Sequence, residues 1–190
     1  AMGTSYTIRL VPKRGSNPNT DLIKSKIDST LESINDQMST YVINSDISLF
    51  NKLGENAAIV ISSDFKKVIM RSIYWSEKSN GAFDITSLPL TNVWREGKKD
   101  RENKEKWEPP SDLDIAIAKD NVGFNKIKLS HNSLIKTKKG QQIDVNAIAK
   151  GWGVDHLFSL VKSFGYNNYM VEIGGEVRVS GKNIQKKPWK

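Results

Sequence analysis

The segment Asp144-Val-Asn-Ala-Ile-Ala-Lys-Gly-Trp-Gly153 holds the residues of this 190-residue chain with the most scope for chemistry. Small side chains crowd what reads as the start of a helix, where unpaired amides and the helix dipole favour an anion such as a phosphate group. Lys150, near the first turn, adds a point charge for the same anion. Gly151 and Gly153 each cost a helix about 1 kcal/mol relative to alanine, so close approach of a ligand or a neighbouring backbone is expected there. The residue order is not that of a Walker A loop, which requires Gly-x-x-x-x-Gly-Lys-Ser/Thr. Asp144 and a free main-chain carbonyl near Ala147 offer hard oxygen atoms that suit Mg2+ better than zinc, and magnesium bridging a pyrophosphate fits them. On the residues alone a second account stands level: Asp144 caps the helix, Lys150 is solvated, and the glycines let the helix pack on a sheet.

Three further places could touch a ligand. Gly81-Ala-Phe-Asp84 sets an aromatic and a carboxylate just past a helix stop, where Phe83 could face a flat ring and Asp84 accept from ring or ribose donors. A phenylalanine such as Phe83 is more often plain core. Tyr41 could stack on a ring while its hydroxyl stays polar, or be a surface tyrosine. Glu172-Ile-Gly-Gly-Glu176 brackets a glycine pair able to take positive φ, which a tight turn between strands explains without any function. His131 and His156 share no metal-ligand spacing, so neither is expected to bind a metal.

The elements that must position these residues read as follows. The opening stretch to Leu10 is a strand, and Pro12 to Asn19 is turn-rich. A helix then buries Ile23, Ile27, Leu31, Ile34 and Met38, which step by three and four. Residues 39–51 suit a structured loop with short helical turns. Asp64 is expected to cap a second helix with Phe65, Val68, Ile69 and Ile73 inward, stopped by Asn80-Gly81. Glu96 to Pro110 reads as a charged, exposed excursion within a domain. Ser111 and Asp114 form a capping box for a third helix through about Lys119. Phe124–Ser130 and Ser133–Lys138 pair around His131-Asn132. A helix from about Ala147 to Phe164 turns Ile148, Trp152, Leu157, Val161 and Phe164 mostly inward. Tyr169–Ile173 and Glu176–Ser180 follow as strands, and Lys186–Lys190 reads as the approach to another. The class is α+β, with a largely antiparallel sheet and packed helices, in one domain.

Composition narrows the setting. Lys and Arg number 29 against 21 Asp and Glu, a net charge of +8, with no cysteine. Disulfides and thiolate chemistry are excluded. A basic chain fits an acidic partner, and a nucleic-acid-binding module is one reading of that charge. Lysines spread over 98–99, 104, 106, 136, 138–139 and 186–187 are explained instead by a solvated surface, so no nucleic-acid partner is expected. No apolar run approaches the roughly 20 residues of a membrane-spanning helix.

Five collinear segments together resemble the ApbE-type flavin transferases, once described as thiamine-biosynthesis lipoproteins. They are Ala-Met-Gly-Thr-Ser-Tyr6, then Met-Ser-Thr-Tyr41 with Ser-Asp-Ile-Ser-Leu-Phe-Asn51, then Gly-Ala-Phe-Asp-Ile-Thr-Ser-Leu-Pro-Leu-Thr-Asn-Val-Trp94, Asp-Val-Asn-Ala-Ile-Ala-Lys-Gly-Trp-Gly-Val-Asp155, and Val-Glu-Ile-Gly-Gly-Glu176. The resemblance implies an enzyme that binds FAD and Mg2+, splits the pyrophosphate and transfers FMN to a threonine or serine hydroxyl of an acceptor protein. Acceptors in this family are typically subunits of membrane redox complexes. Met2, Tyr41, Ala82, Phe83, Asp84, Asp144 and Lys150 fall at the family's flavin-nucleotide positions, and Ala147 where a main-chain oxygen binds the metal. The implied location is the periplasmic side of a bacterial inner membrane, with a lipid anchor. An FAD-binding or FAD-hydrolysing protein of the same fold, releasing FMN and AMP without transfer, is the alternative.

Two departures stand out. Asn146 and Trp152 occupy positions where relatives often have a smaller serine or glycine and a tyrosine or phenylalanine. Relatives also continue into a Ser-His-Ile-like run, with an aspartate and a hydroxyl residue that complete the metal site, and none of these precedes Lys190. The chain is therefore expected to be a C-terminally truncated fragment, inactive alone, in which no catalytic residue can be named.

Overall fold

The computed structural model describes residues 2–13, 15, 18–102 and 109–190, with 96–102 described by backbone only. Along the chain the elements are β1 (Tyr6–Leu10), α1 (Thr20–Met38), α2 (Asp46–Lys52), β2 (Ala58–Val60), α3 (Ser63–Lys78), α4 (Leu88–Glu102) and α5 (Asp112–Asp120). A 3-10 turn (Phe124–Lys126) leads to β3 (Ile127–Ser130) and β4 (Ser133–Lys136), then α6 (Asn146–Ser163), β5 (Tyr169–Ile173) and β6 (Glu176–Ser180). Among the described residues the strands form two three-stranded sheets, ordered β1-β5-β6 and β2-β4-β3. Every strand pair is antiparallel, as the hairpin-rich order predicts. No helix of the described residues is long and apolar enough to cross a membrane. The chain divides into two compact units, one formed by Ala1–Ser39 with Asn146–Lys190 and the other by Thr40–Val145.

In the first unit, β5 is the central strand and buries alternate residues Tyr169, Val171 and Ile173 on one face. Helices α1 and α6 cover that face. All five residues of the expected α1 stripe are buried, and Ile23, Ile27 and Leu31 join Val154, Leu157 and Val161 of α6 in one apolar cluster with β5. Each such side chain contributes roughly 1.5–3 kcal/mol of burial. The inward stripe of α6 differs by one position from the one expected. Ala149, Gly153, Leu157 and Val161 are buried at a spacing of four, whereas Ile148, Trp152 and Phe164 are half-buried. The small residues seat the helix tightly on the sheet: a methyl group added to Gly153 would lie 3.2 Å from both Ile173 Cδ1 and Met2 Sδ.

The second unit packs α2 to α5 with the β2-β4-β3 sheet. Helix α2, seven residues long, lies in the segment expected to be a structured loop with short helical turns. Helix α3 begins two residues earlier than an Asp64 cap would set it. Ser62, in extended conformation, accepts from Phe65 N at 3.0 Å and is the N-cap, while Asp64 sits in the first turn and pairs with Lys67. Its stop is the expected one, with Asn80 and Gly81 at φ 52° and 82° and Gly81 N donating to Ser76 O at 2.8 Å. The capping box at Ser111 forms as expected, Ser111 Oγ accepting from Asp114 N and donating to the Asp114 carboxylate. Helix α4 and the short strand β2 were not anticipated. The charged excursion from Glu96 begins as the last turns of α4, and residues 103–108 lie outside the described residues.

Lys136 overturns the solvated-lysine reading at one position. It is 1% exposed, and its Nζ donates to the carbonyls of Asn51 and Leu53 at 2.8 and 2.9 Å. These acceptors lie at the C-terminal end of α2, where carbonyls lack helical partners and a cation is favoured. The ammonium also sits 5.2 Å from the Phe50 ring centroid. Burial pushes its pKa down from 10.5, the expected cost of keeping a charge among apolar groups.

Replacing Ser62 with alanine removes the α3 cap and is expected to lower stability by about 1 kcal/mol. Urea unfolding measures this; an unchanged midpoint would return the capping role to Asp64.

Candidate functional site

The positions singled out from the sequence fall in both units, Met2, Ala147 and Lys150 in the first and Tyr41, Ala82, Phe83, Asp84 and Asp144 in the second.

In the first unit the centre is Lys150, in the second turn of α6. Its Nζ lies 2.9 Å from Oε1 of Glu176, the first residue of β6. Both side chains are about one-third exposed, at 32% and 39%. The lysine is therefore engaged, not freely solvated. The hydrogen bond from Lys150 is the main cause that holds the Glu176 carboxyl below its ordinary pKa of 4.5. Glu176 Oε2 is buried and accepts no hydrogen bond. The two-residue hairpin before it has Gly174 and Gly175 at φ 56° and 100°, both in the region a type I′ turn requires. Glu172 Oε1 accepts from Gly175 N at 2.7 Å and locks that turn.

Gly151 has nothing within 4 Å of where a side chain would begin, in contrast to Gly153, whose neighbours are Met2 and β5. Only Gly151 thus retains the space a ligand would need. Met2 has φ 53° and packs on the apolar cluster through its side chain. Ala147 is exposed as the second residue of α6. In regular helical geometry its carbonyl runs along the helix axis toward residue 151, and its second lone pair remains open to a metal. Trp152 Nε1 is buried without an acceptor, and its ring lies 4.7 Å from that of His156.

In the second unit Asp144 and the Gly81–Asp84 segment come together through the backbone: Asp144 N donates to Ile85 O at 2.7 Å. Asn51 flanks the same strand-like stretch, its amide donating to Ile143 O at 2.9 Å and accepting from Ile143 N at 2.8 Å. Asp84 is already occupied. Its Oδ1 accepts from Thr86 N and Thr86 Oγ1 at 2.8 and 2.6 Å, and its Oδ2 from Phe124 N at 3.1 Å. Thr86 Oγ1 in turn accepts from Gly123 N at 2.7 Å. Asp84 therefore ties the 84–86 turn to the 123–124 loop, and a ligand could use only its remaining lone pairs. Phe83 is half-buried, with its N–H donated to Ser79 Oγ, and Ala82 is exposed.

Tyr41 stands apart from these. It is 75% exposed and lines a cleft of about 280 Å³ with Thr40, Ser48, Asn51, Lys52 and Arg95, closed by Leu88, Asn92 and Gln142. That volume is below the roughly 300–1,000 Å³ of a whole small-ligand site. Sequence reasoning missed Glu176 as a partner of Lys150, and Asn51, Thr86 and Lys136 as scaffold. Asn51, Thr86 and Glu176 had a signal, since each lies in one of the collinear motifs, and Lys136 had none.

For a metal, no three acidic or histidine side chains converge among the described residues, so they provide no protein-only cage. Mg2+ that keeps waters and takes phosphate oxygens needs only one or two protein oxygens. The Asp144 carboxylate and the Ala147 carbonyl are hard donors of that kind.

Residues 2–190 match the ApbE family, and the chain belongs to it. Among its relatives, the FAD:protein FMN transferase of Haemophilus influenzae is 36% identical over 193 residues, covering 99% of this chain and 55% of that protein. The Vibrio cholerae FAD:protein FMN transferase is 34% identical, covering 100% and 55%. The solved flavin transferase ApbE from Vibrio cholerae superposes with a TM-score of 0.90 at 34% identity, over 99% of this chain and 59% of that one. The Pseudomonas stutzeri flavinyl transferase ApbE, apo form, does so at 0.88 and 30%, over 100% and 61%. The chain thus spans about 55% of the length of these curated relatives.

Two outcomes test the site's construction. Asp84→Asn turns an amide N–H2 toward a backbone N–H and is expected to cost about 1–3 kcal/mol, read by urea unfolding together with loss of hydrogen-exchange protection at Phe124. The Glu176 pair contributes stability that is present above pH 4.5 and is lost as pH falls through the depressed folded pKa. In Lys150→Met the Glu176 carboxyl is expected to titrate at higher pH by carbon NMR; an unmoved midpoint would show that Lys150 is not the cause.

Proposed function

We propose that the protein containing this chain transfers FMN from FAD to a threonine or serine hydroxyl of an acceptor protein, with Mg2+. The observation that carries this reading is the family match over residues 2–190, with relatives named for that activity. The local chemistry agrees with it. Lys150 and the open space at Gly151 on the early turns of α6 suit a phosphate, and the Tyr41 cleft has an exposed aromatic face for a ring.

In the proposed reaction the acceptor oxygen forms a bond to the phosphorus of the FMN half, the bond to the bridging pyrophosphate oxygen breaks, AMP leaves, and the hydroxyl proton passes to a base. Lys150 holds the pyrophosphate and offsets charge that builds on its oxygens, a contribution of positioning and electrostatics. The Ala147 carbonyl would hold the metal, which would supply further neutralisation of phosphate charge when bound, and the Asp144 carboxylate is a hard donor of the same kind in the second unit. Tyr41 and Phe83 in the second unit and Met2 in the first offer apolar side chains for the flavin portion, and Ala82 is a small exposed residue next to Phe83. Glu176 is a poor base, because Lys150 depresses its pKa, and no residue of this chain is assigned as the base. The acceptors proposed are subunits of membrane redox complexes, and the location proposed is the periplasmic face of the inner membrane with a lipid anchor; both rest on family resemblance.

The test is incubation of the full-length protein with FAD, Mg2+ and candidate acceptor domains, scored by intact mass. An FMN-sized adduct is expected, and Asp144→Ala or Lys150→Ala is expected to weaken FAD binding at least tenfold. Release of FMN and AMP without any adduct would replace transfer with hydrolysis, and unchanged affinity in both variants would remove the site assignment.

A further inference from the structure

The glycine-rich hairpin between β5 and β6 and its two glutamates are not absorbed by the function proposed above. Their carboxylates do different work. Glu172 locks the turn by accepting from Gly175 N at 2.7 Å, and Glu176 reaches across to Lys150 at 2.9 Å. Gly174 makes this reach possible. A methyl group at that position would lie 2.8 Å from Thr4 Cγ2 and 3.3 Å from Lys150 Cδ, so the lysine stem lies over a turn kept bare for it. Three segments therefore meet at Gly174: the lead-in to β1 through Thr4, α6 through the Lys150 stem, and the β5–β6 hairpin itself.

We infer that Glu176 is a positioning residue, which holds the Lys150 ammonium ordered for a phosphate-bearing ligand. The inference rests on the reading of Lys150 as a pyrophosphate contact. A free lysine stem loses freedom when it closes on an anion, a loss worth up to about 30-fold in affinity. Part of that loss is already taken in this structure, through a charge-assisted hydrogen bond over a fixed turn. The opposing effect is repulsion between the carboxylate and the incoming phosphate. Partial exposure of both partners and the Lys150 charge lying between the carboxylate and the ligand screen that repulsion, and a phosphate-binding lysine held by a glutamate is the arrangement protein kinases use. Lys150 keeps two further N–H donors for the ligand while one remains on Glu176.

The test uses the full-length protein, titrated calorimetrically with FAD and separately with inorganic pyrophosphate. Glu176→Gln keeps the shape but not the charge, and is expected to weaken both ligands about 3- to 10-fold. Glu176→Asp is expected to recover part of the loss. In a Lys150→Ala background, Glu176→Gln should have no further effect, because its influence runs through the lysine. Tighter binding in Glu176→Gln would mean that the carboxylate competes with the ligand and would overturn the inference, as would unchanged binding. An equal loss in the Lys150→Ala background would also overturn it, assigning the effect to the hairpin. If pyrophosphate follows the expected pattern while FAD does not bind, the flavin reading fails and the positioning role stands. If the wild-type protein binds FAD but its affinity ignores both Glu176 variants, the reverse holds. Absence of pyrophosphate and FAD binding in the wild type rejects both.

Discussion

Residues 143–145 are held in the second unit by partners that no regular sheet supplies. Asn51 forms paired hydrogen bonds with the backbone of Ile143, and Ile85 O accepts from Asp144 N. Ile143 and Val145 are fully buried on either side. A side-chain amide here takes the place of a neighbouring strand, satisfying a buried N–H and C=O that would otherwise cost about 1–3 kcal/mol each. Asn51 is itself fixed from behind, since its own carbonyl accepts from the buried Lys136 ammonium. A chain of polar contacts thus runs from β4 through α2 to the residue that precedes Asp144. Lys136 and Ile143 in this chain are buried and Asn51 between them is half-buried, and the specific acceptors at Asn51 and Leu53 are why a lysine is tolerated in that core.

The same logic separates scaffold from chemistry at Asp84. A carboxylate at a position proposed to meet the flavin nucleotide invites a ligand role, yet its oxygens accept three intramolecular donors and bridge two loops. Thr86 extends the bridge by relaying Gly123 N–H to the carboxylate. Any contact with a ligand must be made by a group whose geometry is already set. That is preorganisation: the orientation cost is met during folding and not on binding.

What the sequence made legible follows from how strongly each element is encoded. Helix α1 and strands β5 and β6 carry clean periods of 3.6 and 2, and their boundaries emerge directly. The cap of α3 was misassigned because Ser62 and Asp64 are both good caps two residues apart, and only the extended backbone at Ser62 decides. Helix α4 went unseen because Pro89 near its start and a charged second half obscure any apolar stripe. Strand β2 has three residues, too few to display a period. In the site, Lys150 and Asp144 could be picked out from local chemistry, but the Lys150–Glu176 contact joins positions 26 residues apart (176 − 150) and has no local signal. Lys136 was misread because composition alone treats every lysine as surface.

Helix α6 shows how these demands are reconciled within one element. Reading its large residues as the buried stripe chose Ile148 and Trp152, whereas the helix rests on Ala149 and Gly153. Gly153 is a packing residue, set by Met2 and Ile173, and Gly151 is not. Two glycines cost such a helix about 2 kcal/mol together. The later turns offset this easily, because Val154, Leu157 and Val161 are each at most 3% exposed against β5 and α1, at roughly 1.5–3 kcal/mol apiece. The last turns anchor the helix, which frees the first two to be chosen for something other than stability. Lys150 and Gly151 sit in that freed half, and of the two glycines only Gly151 is left without a structural explanation.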